Sequence, residues 1–222
     1  MREVFQQSLR EVQDRLVEIA ELVTISIEKA TQSFGNSDVA VAEEVIANDN
    51  RIDQLAIELD ELAIDILARQ QPVARDLRIV VSALRISASL ERMGDMAEHI
   101  AQLSRYRFPD KAVPKGLRTT FAEMGRLDVS IARKLTELLR TQDPRIADEI
   151  RNDDDDVDEL HASVFEKVLG DTWKGEPVAT VDATLASRYH ERFADHAVSI
   201  AKKVQYLATG DWIPEATTPV HH

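Results

Sequence analysis

Apolar residues return every three or four positions along nearly the whole chain. Leu9, Val12, Leu16, Ile19 and Val23 form one stripe, Ile52, Leu55, Leu59, Leu62 and Ile66 a second, and Leu90, Met93, Ala97, Ile100 and Leu103 a third. This spacing gathers each set on one side of a helix and predicts an all-α protein. Gly and Pro interrupt the pattern at Gly35, Pro72, Pro109 to Gly116, Pro144, Gly170 to Pro177 and Gly210 to Pro214, leaving six long helical segments. The interruptions are short, so successive helices are expected to pack antiparallel. Asp38 and Asp143 stand where N-caps belong ahead of helices two and five, and Pro177 stands where helix six would start.

The chain also resembles itself. A shift of 105 positions sets Ala42-Glu43-Glu44-Val45 on Ala147-Asp148-Glu149-Ile150, and both halves then keep Asp-x-x-(Ile/Val)-Asp-x-Leu, ending at Leu55 and Leu160. Further on the shift becomes 100, which sets ERMGDMAEHI (91 to 100) on ERFADHAVSI (191 to 200). Two tandem antiparallel three-helix bundles follow. They are expected over 1–108 and 117–210, joined by a hinge or linker at 109–116 and followed by a frayed tail at 211–222.

Composition narrows the chemistry. A net charge of -13 over 222 residues argues against a phosphate-binding nucleic-acid interface. Absence of cysteine excludes disulfides, thiolate metal sites and cysteine nucleophiles. The amphipathic N-terminal stretch is not a signal sequence, and no apolar run is long enough to span a bilayer, so a soluble cytoplasmic protein is expected. No phosphate-cradling glycine loop, nucleophile elbow or zinc-binding H-E-x-x-H occurs. No His has a Glu three residues before it, which argues against a ferritin-like di-iron oxidase.

The acids are the feature that needs a reason. Asp49 and Asp53, Glu91 and Asp95, Asp154 and Asp158, and Glu191 and Asp195 are all four apart, on one helix face, where like charges repel. Folding the first half at Pro72 brings Asp49 level with Asp95 and Asp53 level with Glu91, because each pair is equidistant from that proline. In the second half Asp154 and Asp195, and Asp158 and Glu191, are equidistant from the break GDTWKGEP. Four carboxylates should therefore lie together on each hairpin, facing solvent opposite the core stripe. Oxygen-only ligands suit hard cations, namely Mg2+, Mn2+, Ca2+ or oxidised iron. An alternative is that Arg92 and Arg192, three residues ahead of Asp95 and Asp195, simply neutralise them on a solvated face. His99, one turn after Asp95, is a possible extra ligand, although Ser199 takes its place in the repeat. His161, His190 and His196 are read as structural or solvated. Gly94, replaced by Ala194, is read as tolerated rather than required.

QPVARDLRIVVSALRISASLERMGDMAEHIAQ (71 to 102) and HERFADHAVSIAKK (190 to 203) resemble the repeated third-helix signature of the PhoU family. The resemblance covers all but the tail. It implies a metal-binding, often homodimeric cytoplasmic adaptor that restrains phosphate uptake and starvation signalling. Its implied partners are the phosphate ABC transporter ATPase and a sensor histidine kinase, and it would meet the membrane only through them. Carried over by position, the family's metal motifs select Glu91, Asp95, Glu191 and Asp195, with Fe, Mn or Mg as the ion. The second half lacks a counterpart of Arg75-Asp76-Leu77-Arg78, so those charges form either a partner surface specific to the first bundle or a solvated helix start. A metal-dependent phosphohydrolase and a metal-free helical scaffold are the competing functions.

Overall fold

A computed structural model describes residues 2–209, and the predicted frayed tail at 211–222 lies outside them. Six helices account for nearly all described residues: α1 (Arg2–Asn36), α2 (Val39–Gln70), α3 (Ala74–Arg107), α4 (Arg118–Thr141), α5 (Pro144–Leu169) and α6 (Pro177–Thr209). A short 3-10 turn at Lys115–Leu117 precedes α4. The predicted caps form. Asp38 accepts hydrogen bonds from the Ala40 and Val41 amides at 3.1 and 3.2 Å, and Asp143 accepts from the Arg145 amide at 3.0 Å. The first break falls slightly later than expected: Gly35 remains helical, and Ser37, at φ 60, turns the chain.

Helices α1, α2 and α3 pack mutually, and so do α4, α5 and α6. The halves join through α1 against α4 and α3 against α6. One continuous core results, containing Ile19, Phe34, Leu59, Leu90, Ile131 and Phe193. The periodic stripes read from the sequence supply it, with Leu9 and Leu62 partly buried at its edge. Each large apolar side chain buried here contributes roughly 1.5–3 kcal/mol. At the α1/α4 contact Gly125 lets the helices close, since a Cβ there would lie 2.9 Å from Thr31 Cβ. The 109–116 segment buries Ala112 and Val113, and the Ala112 amide donates to Ser37 Oγ at 3.2 Å, fastening it to the α1–α2 turn.

Helices α3 and α6 run antiparallel side by side. His99 stacks on Tyr189 with ring centroids 5.0 Å apart, and Arg107 Nη2 donates to Asp182 Oδ1 at 2.9 Å. Arg92 of α3 is also near enough to disfavour protonation of His196 on α6. This seam runs between the two acidic hairpins.

Candidate metal centre

Helix α2 crosses the face of α3 at Gly94. A Cβ at that position would lie 3.0 Å from Asp49 Oδ1 and 3.1 Å from Ile52 Cδ1. The glycine therefore makes room for the Asp49 carboxylate, a role its replacement by Ala194 in the repeat had concealed. Asp53 stands one turn along α2, and Asp95 faces both from α3. One carboxylate oxygen from each of Asp49, Asp53 and Asp95 lies within 4.8 Å of the others.

Charge and burial raise the proton affinity of this cluster. Burial, followed by repulsion from Asp53, Glu98, Asp95 and Glu91, pushes the Asp49 carboxyl up to about 7. Asp53 and Glu91 are raised as well, in each case chiefly by burial. The Oδ1 atoms of Asp49 and Asp53 are enclosed and accept no hydrogen bond, which leaves lone pairs without a counter-charge. Among the described residues, the cation in hydrogen-bond contact with this cluster is Arg92, whose Nη1 donates to Asp95 Oδ2 at 2.8 Å.

The second hairpin repeats the arrangement with differences. Burial, then Asp158, Asp195, Asp155 and Glu191, push Asp154 up to about 7. Asp158 and Glu191 are also raised, again chiefly by burial. Asp154 Oδ1 and Glu191 Oε2 are enclosed without partners. Here Arg188, rather than the expected Arg192, supplies the ion pair, and it binds Glu191 rather than Asp195. The i,i+3 spacing made that pair legible, but its counterpart in the first half is Ala88, so the repeat drew attention away from it.

Of the eight acids singled out in the sequence, Asp49, Asp53 and Asp95 are brought within 4.8 Å of one another. In the second hairpin Asp154, Asp158, Glu191 and Asp195 are near enough to act on one another electrostatically, but no trio at that spacing is found there among the described residues. Their exposure differs from expectation. Instead of facing open solvent, most of them line the α2/α3 and α5/α6 seams, with the Asp95 side chain 22% and the Glu191 side chain 12% exposed. The acid arc is turned far enough around each helix for the neighbouring rod to cover part of it. His99 is used differently: it stacks on Tyr189 instead of joining the carboxylate trio. His161 Nδ1 lies 2.6 Å from Ser187 Oγ. His190, fully buried, has Nδ1 2.6 Å from Asp128 Oδ2. Sequence reading missed Asp128; the signal was available, since it interrupts the apolar stripe of helix four at the place that Val23 holds in helix one.

The donor set fits a hard cation. Oxygen ligands held about 2.0–2.6 Å from an ion lie at most about 4–5 Å apart across it, which matches the Asp49, Asp53 and Asp95 spacing. Enclosed carboxylate oxygens without donors are what such an ion would engage.

Comparison with known proteins gives a consistent result. The PhoU domain family model matches residues 16–104 and 121–204. The phosphate-specific transport system accessory protein PhoU homolog 2 of Mycobacterium tuberculosis is 41% identical over 95% of this chain and 99% of its own. Homolog 1 of Mycobacterium leprae is 39% identical over 99% of both chains. The crystal structure of PhoU from Pseudomonas aeruginosa superposes with a TM-score of 0.84 at 27% identity, covering 93% of this chain and 100% of the other.

Proposed function

The chain belongs to the PhoU family, and from that premise we propose that it regulates inorganic phosphate uptake as a metal-binding adaptor without catalytic turnover. Its relatives are named as accessory proteins of the phosphate-specific transport system, which supports action alongside that machinery. No helix among the described residues is long and apolar enough to cross a membrane. The partners we assign are the transporter ATPase and the phosphate-responsive sensor kinase, with restraint of both when phosphate is plentiful. A homodimer presenting the surface twice fits this role.

The observation that carries the metal reading is the Asp49, Asp53 and Asp95 trio, with oxygens within 4.8 Å of one another, together with enclosed carboxylate oxygens lacking donors on both hairpins. Asp49, Asp53, Glu91 and Asp95 would hold one group of ions, and Asp154, Asp158, Glu191 and Asp195 another. Fe, Mn or Mg would neutralise the carboxylates and lock each hairpin, fixing the face that partners recognise. Arg92 and Arg188, the guanidinium groups bonded to these acids, are occupied by Asp95 and Glu191. That arrangement favours an adaptor over a phosphohydrolase, which needs cations turned toward a phosphoryl group.

Elemental analysis of the purified chain tests the metal reading. Wild type should carry metal and melt at higher temperature with Mn2+ or Mg2+. The variant with Glu91, Asp95, Glu191 and Asp195 changed to Ala should do neither. Equal metal content and equal melting in both proteins would refute it. Pull-down with the transporter ATPase and the kinase's cytoplasmic part tests the adaptor role, and capture of neither by the metal-loaded protein would overturn it.

A further inference from the structure

The two ends of the α3/α6 seam are related by the internal repeat, yet they differ in chemistry. Where α3 begins and α6 ends, a groove of about 440 Å³ is lined by Leu77, Arg78, Val81, Arg85, Lys203 and Tyr206. The repeat counterparts of Arg78, Arg85 and Lys203 are Val178, Leu185 and Leu103, all apolar. The counterpart of Ser82 at the groove wall is Asp182, which is buried against Arg107. One end of the seam therefore carries apolar side chains and an ion pair, whereas the other is a cationic groove.

Those cations lack carboxylate partners. Among the described residues Arg78, Arg85, Lys202 and Lys203 form no ion pair, although the chain carries 40 acidic against 27 basic residues. Elsewhere Arg15, Arg51, Arg69, Arg105, Arg133 and Arg140 each reach a carboxylate, and the groove differs from the sites of other unpaired cations in gathering three on one concave surface. Lys203 is half-buried, with Nζ donating to Ser199 Oγ at 2.6 Å. Burial, then Arg85 and Lys202, hold its amine below the ordinary value. Like charges gathered at one groove repel one another and raise the local potential for an anion.

We propose that the groove between the start of α3 and the end of α6 binds a phosphate-bearing anion, held by Arg78, Arg85 and Lys203. A lone carboxylate needs one cation. Three around one groove match a polyvalent anion, and guanidinium groups suit the bidentate geometry of phosphate oxygens. Leu77 and Val81, 40% and 37% exposed, offer an apolar floor for an organic portion. Inorganic phosphate or pyrophosphate and a nucleotide share this chemistry.

Isothermal titration calorimetry on the full chain separates the two sources. It is run with EDTA present, so that the acidic clusters take no part and the outcome is independent of the metal reading. The probes are inorganic phosphate, pyrophosphate and ATP. Binding is expected to weaken as salt rises and to fall at least about tenfold in Arg78→Gln/Arg85→Gln, two exposed positions whose change spares the fold. The Lys203→Gln variant should lose affinity similarly, with circular dichroism reporting that it is folded. A control with Lys115→Gln and Lys174→Gln should bind as wild type. ATP binding tighter than pyrophosphate assigns the groove to a nucleotide, and equal or weaker ATP binding assigns it to inorganic phosphates. Absence of heat with every probe, or affinity unchanged in Arg78→Gln/Arg85→Gln, overturns the proposal. A poly-glutamate peptide that binds as tightly as pyrophosphate also overturns it, in favour of an acidic protein segment.

Discussion

Replacing Asp49 by Asn removes one charge from the first cluster while keeping the side chain's shape. Asp49 is pushed from 3.8 to about 7 in the folded chain, a rise of roughly 3 units worth about 1.4 kcal/mol each, so its ionisation costs the fold at most about 4 kcal/mol. The seam is open to water on one side, which reduces the expected effect to about 2 kcal/mol. The sign follows from linkage. A folded-state pKa above the unfolded one means that the fold holds a proton the unfolded chain has released. The stabilising contribution is full below about pH 4 and is lost as pH rises toward about 7. In EDTA, urea unfolding followed by circular dichroism should therefore show wild type losing stability across that window, with Asp49→Asn losing less. Above about pH 7 the variant should be the more stable protein by about 2 kcal/mol. With Mn2+ added the order should reverse, because only wild type gains the full binding free energy. An Asp49→Asn protein no more stable than wild type in EDTA above about pH 7 would show that burial and neighbouring acids do not penalise the ionised Asp49 carboxylate.

Gly94→Ala should change stability by less than about 1 kcal/mol, since the gain in helix propensity offsets displacement of Asp49 and Ile52 side-chain tips. It should nevertheless weaken Mn2+ binding measurably by titration, and unaltered affinity would show that Asp49 is not held in place from α3. Asp128→Val alone should cost about 3 kcal/mol in urea unfolding, because His190 is left in the core without its partner. Asp128→Val with His190→Leu, which copies the buried Val23 and Leu90 of the first half, should recover most of that loss. Arg107→Ala should cost about 2–3 kcal/mol by stranding the carboxylate of Asp182, which is 5% exposed, and the same denaturation assay checks it.

The hairpin register was legible because two rods joined by a short bend have little freedom to slide, so positions equidistant from Pro72 had to meet. The six helices were legible from apolar spacing and from Asp38, Asp143 and Pro177 at their starts. What escaped the sequence depends on azimuth and on distant neighbours. Asp49 and Asp53 flank the core stripe of α2 by a margin that one helix cannot resolve into exposed or half-covered, and only the position of α3, set by Gly94, settles it. Asp128 and His190 lie 62 residues apart on α4 and α6. Neither carries a local signal of the other, and on its own helix each looks like a polar interruption. The packing of α1 on α4 and α3 on α6 was equally hidden, since a helix buried on two sides shows a wide apolar arc without saying which neighbour takes which part.

The two kinds of buried charge in this chain have different physical consequences. Asp128 and His190 have opposite signs available, so their burial can be compensated within the protein, and the apolar pair at the equivalent place in the first half indicates that the fold does not need them. The hairpin clusters have no such internal remedy. Arg92 and Arg188 are each bonded to one acid and only partly offset the charge of the others, since burial and like charge still raise Asp53, Glu91 and Asp158. The core is large enough to carry that cost, but nothing in folding requires it twice at corresponding places. The remaining sources of positive charge are protons and cations from solution. A proton neutralises one oxygen and becomes scarce as pH passes about 7, the value to which Asp49 and Asp154 are pushed. A metal cation engages several oxygens at once and does so with the carboxylates ionised, which is the physical ground on which the proposed metal binding rests.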